Sequence, residues 1–384
     1  MKNKTRKTMI SLLLALAVIL SSMGLYHIVK NERIKYEQHQ AELRAQEEAE
    51  RKAAEEEVAR LAEEEAKRLA EEDRRTRNPL TGLKMNENAI AKRPVAIMVE
   101  NTPPARPQWG MDDPKYSPDI ILEAEVEAGI TRTMWLFADF TSLPEIVGPI
   151  RSARPPYVRF SELFDAIYVH WGQSDSAGSY IGASTVIAQD SVDNINQLQY
   201  RGTVELFGRN RERDVAIEHT GILYSDRLPA AIEEYGYRTD MDKSRFTFLE
   251  FNDELLPAGD APCNDITVVI SARSWTKHWT YSKTDKLYHT DDFNNNLTRQ
   301  NILILTDTTE YITKPGASFS YCNYLFEGGE GKYASLGTVA DITWAIENGK
   351  LVIRVADGNI VSFNRGKTWI GWISANRGGS IDIR

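Results

Sequence analysis

A continuous run of apolar residues near the start of the chain extends from Met9 to Tyr26, and to Val29 if His27 is tolerated near a membrane interface. At about 1.5 Å of rise per residue, a helix of this length crosses the ~30 Å hydrocarbon core of a bilayer. The run is preceded by the basic residues Lys2, Lys4, Arg6 and Lys7. Because basic flanks stay in the cytoplasm, the sequence predicts a single-pass anchor at residues 9–29, with the chain from residue 31 onward outside the cell.

A cleaved signal peptide is the alternative interpretation of the same segment. Ser22-Met23-Gly24 offers small residues of the kind that a signal peptidase reads, although the apolar run is longer than a typical signal core. Leu20-Ser21-Ser22-Met23 also resembles a lipobox, but Met23 stands where the lipidated cysteine would have to be. Attachment of diacylglycerol to that position is therefore excluded.

Residues 31–77 contain mainly Glu, Ala, Arg, Lys and Gln, with neither Gly nor Pro. Acidic residues stand four positions before basic ones in six pairs: Glu47 and Arg51, Glu48 and Lys52, Glu56 and Arg60, Glu63 and Lys67, Glu64 and Arg68, Glu71 and Arg75. This spacing stabilises a helix. The few large apolar residues do not keep a heptad, so the pattern favours a lone helical stalk of ~65–70 Å, ending at Asn78-Pro79. A disordered charged linker is the alternative.

The head, from residue 78, divides by pattern into two domains, 78–260 and 261–384. In the first, short apolar runs alternate with helical periodicity, which predicts an α+β or α/β domain. The predicted strands are Pro94–Val99, Thr133–Phe137 and Ala166–Val169, and the predicted helices are Tyr157–Asp165 and Leu228–Tyr235. Residues 172–208 form a long polar stretch of the kind that often carries function.

The second domain is predicted to be mostly β, because its apolar runs are short and rich in β-branched and aromatic residues. The predicted strands are Ile266–Ile270, Trp279–Tyr288, Ile302–Leu305, Ile342–Ile346, Leu351–Val355, Ile360–Phe363 and Thr368–Ile373. Asn348-Gly349 and Asp357-Gly358 are hairpin turn signals that would join the last strands into a meander.

Charge is distributed unevenly along the chain. Of the formal net charge of −9, residues 1–30 contribute +5 and residues 31–77 contribute −4, which leaves −10 for the head. An acidic head lacks the basic surface that phosphate backbones require, so nucleic acid is not an expected partner. The only two cysteines, Cys263 and Cys322, could form one disulfide if they meet in space, but cannot make a four-cysteine zinc site.

Several blocks of the head resemble the YerB-like lipoprotein family, bacterial surface proteins of unknown function with an N-terminal and a C-terminal domain. In order, they are Asn78-Pro79-Leu80-Thr81-Gly82, residues 93–101 (RPVAIMVEN), 105–108 (ARPQ), 126–132 (VEAGITR), 147–154 (VGPIRSAR), 169–172 (VHWG) and 366–370 (GKTWI). The chain departs from the family at Met23 and at Glu218-His219-Thr220, where the family tends to have Pro-His-Asn. The resemblance implies no catalytic mechanism.

Arginines placed among small and rigid residues are the strongest candidates for a binding site. Arg106 precedes a proline, and Arg151 and Arg154 flank Ser152 just before a proline-initiated helix. Guanidinium groups bind phosphate and carboxylate oxygens two at a time. The predicted anion site consists of Arg106, Arg132, Arg151, Ser152 and Arg154. The alternative is that each arginine pairs with a structural acid at Glu100, Glu123, Glu125 or Glu127.

Catalytic candidates are weaker. His170 and His219 could act as bases, and Glu123 and Glu127 could act as an acid and base pair in glycan cleavage. If Glu123, Glu125 and Glu127 lie on one strand, however, they share a single face that is expected to be solvated. Common hydrolase, nucleotide and zinc motifs are absent from the sequence, so neither a metal nor a cofactor is expected.

These observations favour an envelope protein that binds an anionic cell-wall component, or a partner of the wall machinery, at a height set by the stalk. The alternative function is a hydrolase or transferase acting on glycan or phosphodiester bonds of the wall.

Overall fold

The structure is a computed structural model that describes residues 2–111, 116–294 and 296–384. It contains two compact units, Met1–Glu72 and Asp73–Arg384, which are described separately below. The side chains of Lys2, Lys4, Arg6 and Lys7, on which the predicted orientation of the anchor depends, lie outside the described part. Asn295, within the Asp-Asn-rich turn after Thr290, also lies outside it.

Helix α1 runs without interruption from Lys2 to Arg75. This confirms the predicted helix and joins the apolar segment to the charged one. Within Thr8–Asp73 the helix is long and apolar enough to cross a membrane. Of the predicted ion pairs, Glu48 pairs with Lys52 at 3.7 Å and Glu63 with Lys67 at 2.6 Å. These pairs are exposed and contribute only a few tenths of a kcal/mol each, so the helix depends on the intrinsic propensity of its residues.

The described residues of the head include three short α-helices and a large number of short strands. The helices are α2 Pro155–Glu162, α3 Ala183–Gln189 and α4 Leu228–Glu234. The strands up to residue 260 are β1 Val95–Glu100, β2 Ile120–Glu127, β3 Ile130–Phe137, β4 Ile146–Val147, β5 Ile167–His170, β6 Asn194–Asn196, β7 Phe207–Arg209, β8 Gly221–Tyr224 and β9 Glu250–Phe251. The later strands are β10 Ala261–Pro262, β11 Asp265–Val269, β12 Thr276–Ser282, β13 Leu287–Thr290, β14 Leu297–Arg299, β15 Asn301–Asp307, β16 Thr309–Thr313, β17 Ser320–Tyr324, β18 Gly329–Ser335, β19 Thr338–Glu347, β20 Lys350–Val355, β21 Ser362–Phe363, β22 Thr368–Ser374 and β23 Ser380–Ile383.

The fold class is confirmed: a mixed α and β region is followed by a mostly β region. Several details differ from the prediction, since α3 and strands such as β2 and β18 were not among the predicted elements. The segment Trp279–Tyr288 is a hairpin of β12 and β13 rather than one strand, and β21 leaves the meander to pair with β9. The turn at Asn348-Gly349 is as predicted, because both residues have positive φ, 52° and 75°, as a type I′ hairpin requires.

One mixed sheet extends through both sequence halves, in the order β10-β19-β18-β15-β22-β2-β3-β1-β5-β6. Strand β22 is parallel to β2 on one side and to β15 on the other, with Ile120 opposite Thr368. The sheet therefore crosses residue 260, where the sequence suggested a division between domains. Strands β1, β2, β5 and β6 all run in the same direction, with antiparallel β3 between β1 and β2.

Residues alternate between two cores on opposite faces of this sheet. Leu122 and Trp372 belong to the core that α2 covers, whereas Ile121 and Trp369 belong to the core covered by the second sheet, β14-β13-β12-β11-β23. Cys322 lies in the first core and Cys263 in the second. Both thiols are free, so the disulfide that the sequence left open is not formed. Their separation by the sheet is the reason, and burial raises the pKa of each thiol.

Candidate functional site at the carboxyl edge of the sheet

The parallel strands β1, β2 and β5 end at the same edge of the sheet, with Glu100, Glu127 and His170 as their last residues. Strand β3 begins at this edge and carries Arg132. In open sheets, ligands bind beyond the carboxyl ends of the strands. The structure thus brings most of the predicted site residues to the place where this topology favours a site.

Glu127 binds two arginines. Arg154 donates Nε to Oε2 and Nη2 to Oε1, both at 2.8 Å, and Arg132 donates Nη2 to Oε1 at 2.9 Å. Burial alone would raise the pKa of Glu127, but the charges of Arg132 and Arg154 hold it below its ordinary value. Burial and the charge of Arg154 lower the pKa of Arg132 to about 10. Glu127, Arg132 and Arg154 thus form a buried cluster in which the carboxylate pairs with both guanidinium groups.

A β-bulge between Glu125 and Glu127 overturns the prediction of one solvated acidic face. The bulge adds one residue to β2, and this moves Glu127 to the face of the sheet that carries Arg132. Glu123 instead accepts hydrogen bonds from Asn101 and Thr131, and Glu125 accepts one from Tyr311. All three carboxylates are buried. Glu123 and Glu127 therefore lie in different environments and do not form an acid and base pair facing one cleft.

Glu100 holds Arg151 and His219 at the outer rim of the site. Arg151 donates Nη2 to Oε1 at 3.0 Å, its Nε lies 2.9 Å from Oε2, and His219 Nδ1 also lies 2.9 Å from Oε2. The Arg151 side chain is 26% exposed and that of His219 is 14% exposed. Arg151 Nη1 and His219 Nε2 have no hydrogen-bond partner among the described residues, so Nη1 can donate to a ligand and Nε2 is open to a hydrogen bond with one.

Arg209, which sequence patterns did not select for the site, extends this rim. Its guanidinium lies 4.5 Å from the centre of the Trp171 ring, and its Nη1 donates to the Thr220 hydroxyl at 3.3 Å. Burial and the positive charges of Arg211 and Arg151 lower the pKa of Arg209. The sequence did not predict that Arg209 stacks on the Trp171 ring. The hairpin of β7 and β8 that carries Arg209 forms only in the folded head.

Two predicted members of the anion site have other roles. Arg106 lies apart from the other arginines: it donates to the Asn101 carbonyl at 2.7 Å and to the Asp292 carbonyl, 5.6 Å from the rings of both Trp275 and Phe293. The Ser152 hydroxyl donates to the Trp171 carbonyl at 3.0 Å. Arg106 therefore does not join the cluster, and Ser152 orients the strand ends.

His170 is buried, and its Nδ1 donates to the Gly172 carbonyl at 2.7 Å. Burial lowers its pKa to about 4, so the ring is neutral at ordinary pH. It acts as a structural side chain beneath the site. Of the four catalytic candidates, only His219 can meet a ligand. No group of three metal-binding side chains occurs in residues 2–111, 116–294 and 296–384.

Two family models match the head. The model described as the N-terminal domain of a protein of unknown function (DUF3048) matches residues 80–238, and its C-terminal counterpart matches residues 266–370.

Similarity to one relative and one solved structure agrees with these matches. The chain is 31% identical over 306 residues to "Putative lipoprotein YerB" of Bacillus subtilis (strain 168), covering 77% of this chain and 86% of that protein. The crystal structure of YerB from Bacillus subtilis is similar with a TM-score of 0.64 at 30% identity, over 80% of this chain and 99% of that one. The chain therefore belongs to the YerB-like DUF3048 family, whose function is unknown.

Proposed function

We propose that this is a membrane-anchored, extracytoplasmic binding protein that recognises an anionic component of the cell envelope at the rim formed by Arg151, His219 and Arg209. The observation that carries the proposal is the geometry of Arg151. Glu100 fixes its guanidinium with one hydrogen bond and a second close ion-pair contact, and leaves Nη1 available. A donor positioned before the ligand arrives loses less conformational entropy on binding.

Charge supports the same conclusion. Four arginines, Arg132, Arg151, Arg154 and Arg209, surround two carboxylates, Glu100 and Glu127, at this edge. The local excess of positive charge contrasts with the rest of the acidic head. A local positive potential of this kind attracts phosphate or carboxylate groups and does not repel neutral molecules. The ring of Trp171 beside Arg209 adds an apolar wall for a sugar or glycerol unit.

Acid–base catalysis on a wall glycan or phosphodiester is the second candidate. The contact between Glu100 and His219 Nδ1 favours it, because a carboxylate that orients an imidazole leaves Nε2 to accept or donate a proton. Replacement of His219 by Gln separates the two functions. Binding alone should change by less than about tenfold, whereas loss of a general base should reduce turnover by about 10² to 10⁴.

Binding should depend on the fork geometry of Arg151 and not only on its charge. We expect Arg151→Lys to weaken binding to poly(glycerol phosphate) almost as much as Arg151→Ala, by about 10-fold or more, because lysine keeps the charge but loses the planar donors. Arg354→Lys, a change at an exposed pair with Glu347, is the matched control. If the arginines are only structural, the Arg151 variants will melt earlier while binding in the folded protein is unchanged.

The proposed membrane anchor is tested by finding on which side of the membrane the head lies. The apolar part of α1, the basic residues before it and the lipoprotein name of the relative support a head that is tethered outside the membrane. We expect protease added to intact protoplasts to digest the head, and the full-length chain to stay with membranes in high salt. A soluble mature protein that begins at Leu25 would contradict the anchor.

A further inference from the structure

A second group of charged side chains lies entirely inside the head, on the face of the sheet opposite Glu127. Lys277 of β12 is 1% exposed and Glu123 of β2 is fully buried. Lys277 Nζ lies 3.6 Å from Glu123 Oε1 and 4.1 Å from the centre of the Phe293 ring. Within the described residues, neither Nζ nor Glu123 Oε2 has a hydrogen-bond partner. Buried charges left in this state are costly, so an ordinary ion pair explains them poorly.

The carboxamide of Asn101 completes the group. Its Nδ2 donates to Glu123 Oε1 and to the Thr131 hydroxyl, each at 2.8 Å. Its Oδ1 accepts from Arg106 Nη2 at 3.1 Å and from Gln108 Nε2 at 3.2 Å. Two donors on a carbonyl oxygen stabilise the negative charge that develops there when a nucleophile attacks the carbon. Arg106 and Gln108 thus hold the amide in an activated orientation.

Glu123 Oε1 touches both partners of a reaction. It is 2.8 Å from the Asn101 amide nitrogen and 3.6 Å from the Lys277 amine, so these two nitrogens lie no farther apart than the sum of those distances. Burial lowers the pKa of Lys277, although the charge of Glu123 opposes this effect. A proton passed from Lys277 to Glu123 gives a neutral amine and a carboxylic acid, which suit the apolar surroundings better than the ion pair.

We propose that Lys277 and Asn101 form an intramolecular isopeptide bond, with Glu123 as the proton shuttle. The neutral Lys277 Nζ attacks Cγ of Asn101, and the negative charge on Oδ1 is held by Arg106 and Gln108. Glu123, protonated by Lys277 before the attack, donates that proton to Nδ2 as the Cγ–Nδ2 bond breaks, and then takes the second proton that Nζ loses. The products are a secondary amide and one ammonia molecule. No oxidant, metal or cofactor takes part, and the carboxyl group of Glu123 is regenerated.

The bond would connect the end of β1 with β12, and hence the two sequence halves across the second core. It removes the buried ammonium group that lacks hydrogen bonds and leaves an uncharged amide. Proximity of the reacting groups replaces an external catalyst, because a held nucleophile and carbonyl react as if at very high concentration.

Mass spectrometry of the full-length protein, extracted from membranes in detergent, tests the proposal. A tryptic map should contain one branched peptide that joins the segments of Asn101 and Lys277, with a mass lower than their sum by one ammonia. Lys277→Met and Glu123→Gln should each release the two linear peptides. Lys283→Met, an exposed lysine beyond the same strand, should leave the branched peptide unchanged.

The wild-type map decides the matter even if a variant fails to fold. Separate linear peptides containing unmodified Asn101 and Lys277 in the folded wild-type protein would overturn the proposal. Loss of ammonia that persists in Lys277→Met would also overturn it, since it would arise from another asparagine, such as Asn348 before Gly349.

Discussion

We expect Glu127→Ala to destabilise the head by about 3–5 kcal/mol, because it leaves Arg132 and Arg154 buried together without their carboxylate. Both guanidiniums have lost most contact with water and repel each other once Glu127 is gone. Urea unfolding followed by tryptophan fluorescence measures the change. The exposed Glu254→Ala is the control and should shift the free energy of unfolding by no more than about 0.5 kcal/mol.

The pH dependence of this effect has a definite sign. Arg132 and Arg154 lower the pKa of Glu127 below its ordinary value of 4.5, against the effect of burial. The carboxylate therefore stabilises the folded state above pH 4.5, and this contribution disappears as the pH falls through the lowered pKa. The difference in stability between wild type and Glu127→Gln should shrink below that pH. A difference that grows on acidification would contradict the assignment.

Trp372→Ala should be similarly severe, at about 3–5 kcal/mol, because a large side chain is removed from a packed core. Trp372 of β22 packs against Phe160 of α2 at 5.6 Å, Tyr324 at 4.7 Å and Phe326 at 4.4 Å between ring centres. It thus joins residues from both halves of the chain. Denaturant unfolding of Trp372→Ala and of the milder Trp372→Phe measures the free energy of unfolding of each variant. Equal values for the two variants would show that the volume of the aromatic side chain is not what stabilises this core.

Helices α1, α2 and α4 and about half of the strands could be predicted because their signals are local, whereas α3 and the shorter strands could not. The charge spacing of residues 31–77 specifies a helix, and the Asn348-Gly349 turn specifies a hairpin. The family blocks also directed attention to Arg132, Arg151 and Arg154, which the fold does gather at one edge.

Features that depend on tertiary pairing could not be predicted. The bulge before Glu127 inserts one residue into a ladder, and simple alternation therefore assigns that carboxylate to the wrong face. The pairing of Arg106 with Asp292 involves residues 186 positions apart. Lys277 had a readable signal that was missed: it stands two positions before the core residue Trp279 on one strand, so its side chain points inward.

The position of β22 sets the order in which the head can fold. Strand β2 is complete early in synthesis, but the neighbour on its open side begins about 250 residues later, at Thr368 opposite Ile120. At 5–20 residues per second, the ribosome needs roughly 10–50 s to make that interval. For this time the edge of β2 is an unpaired template for other chains. The first half of the head therefore cannot complete its part of the sheet before β22 has been made.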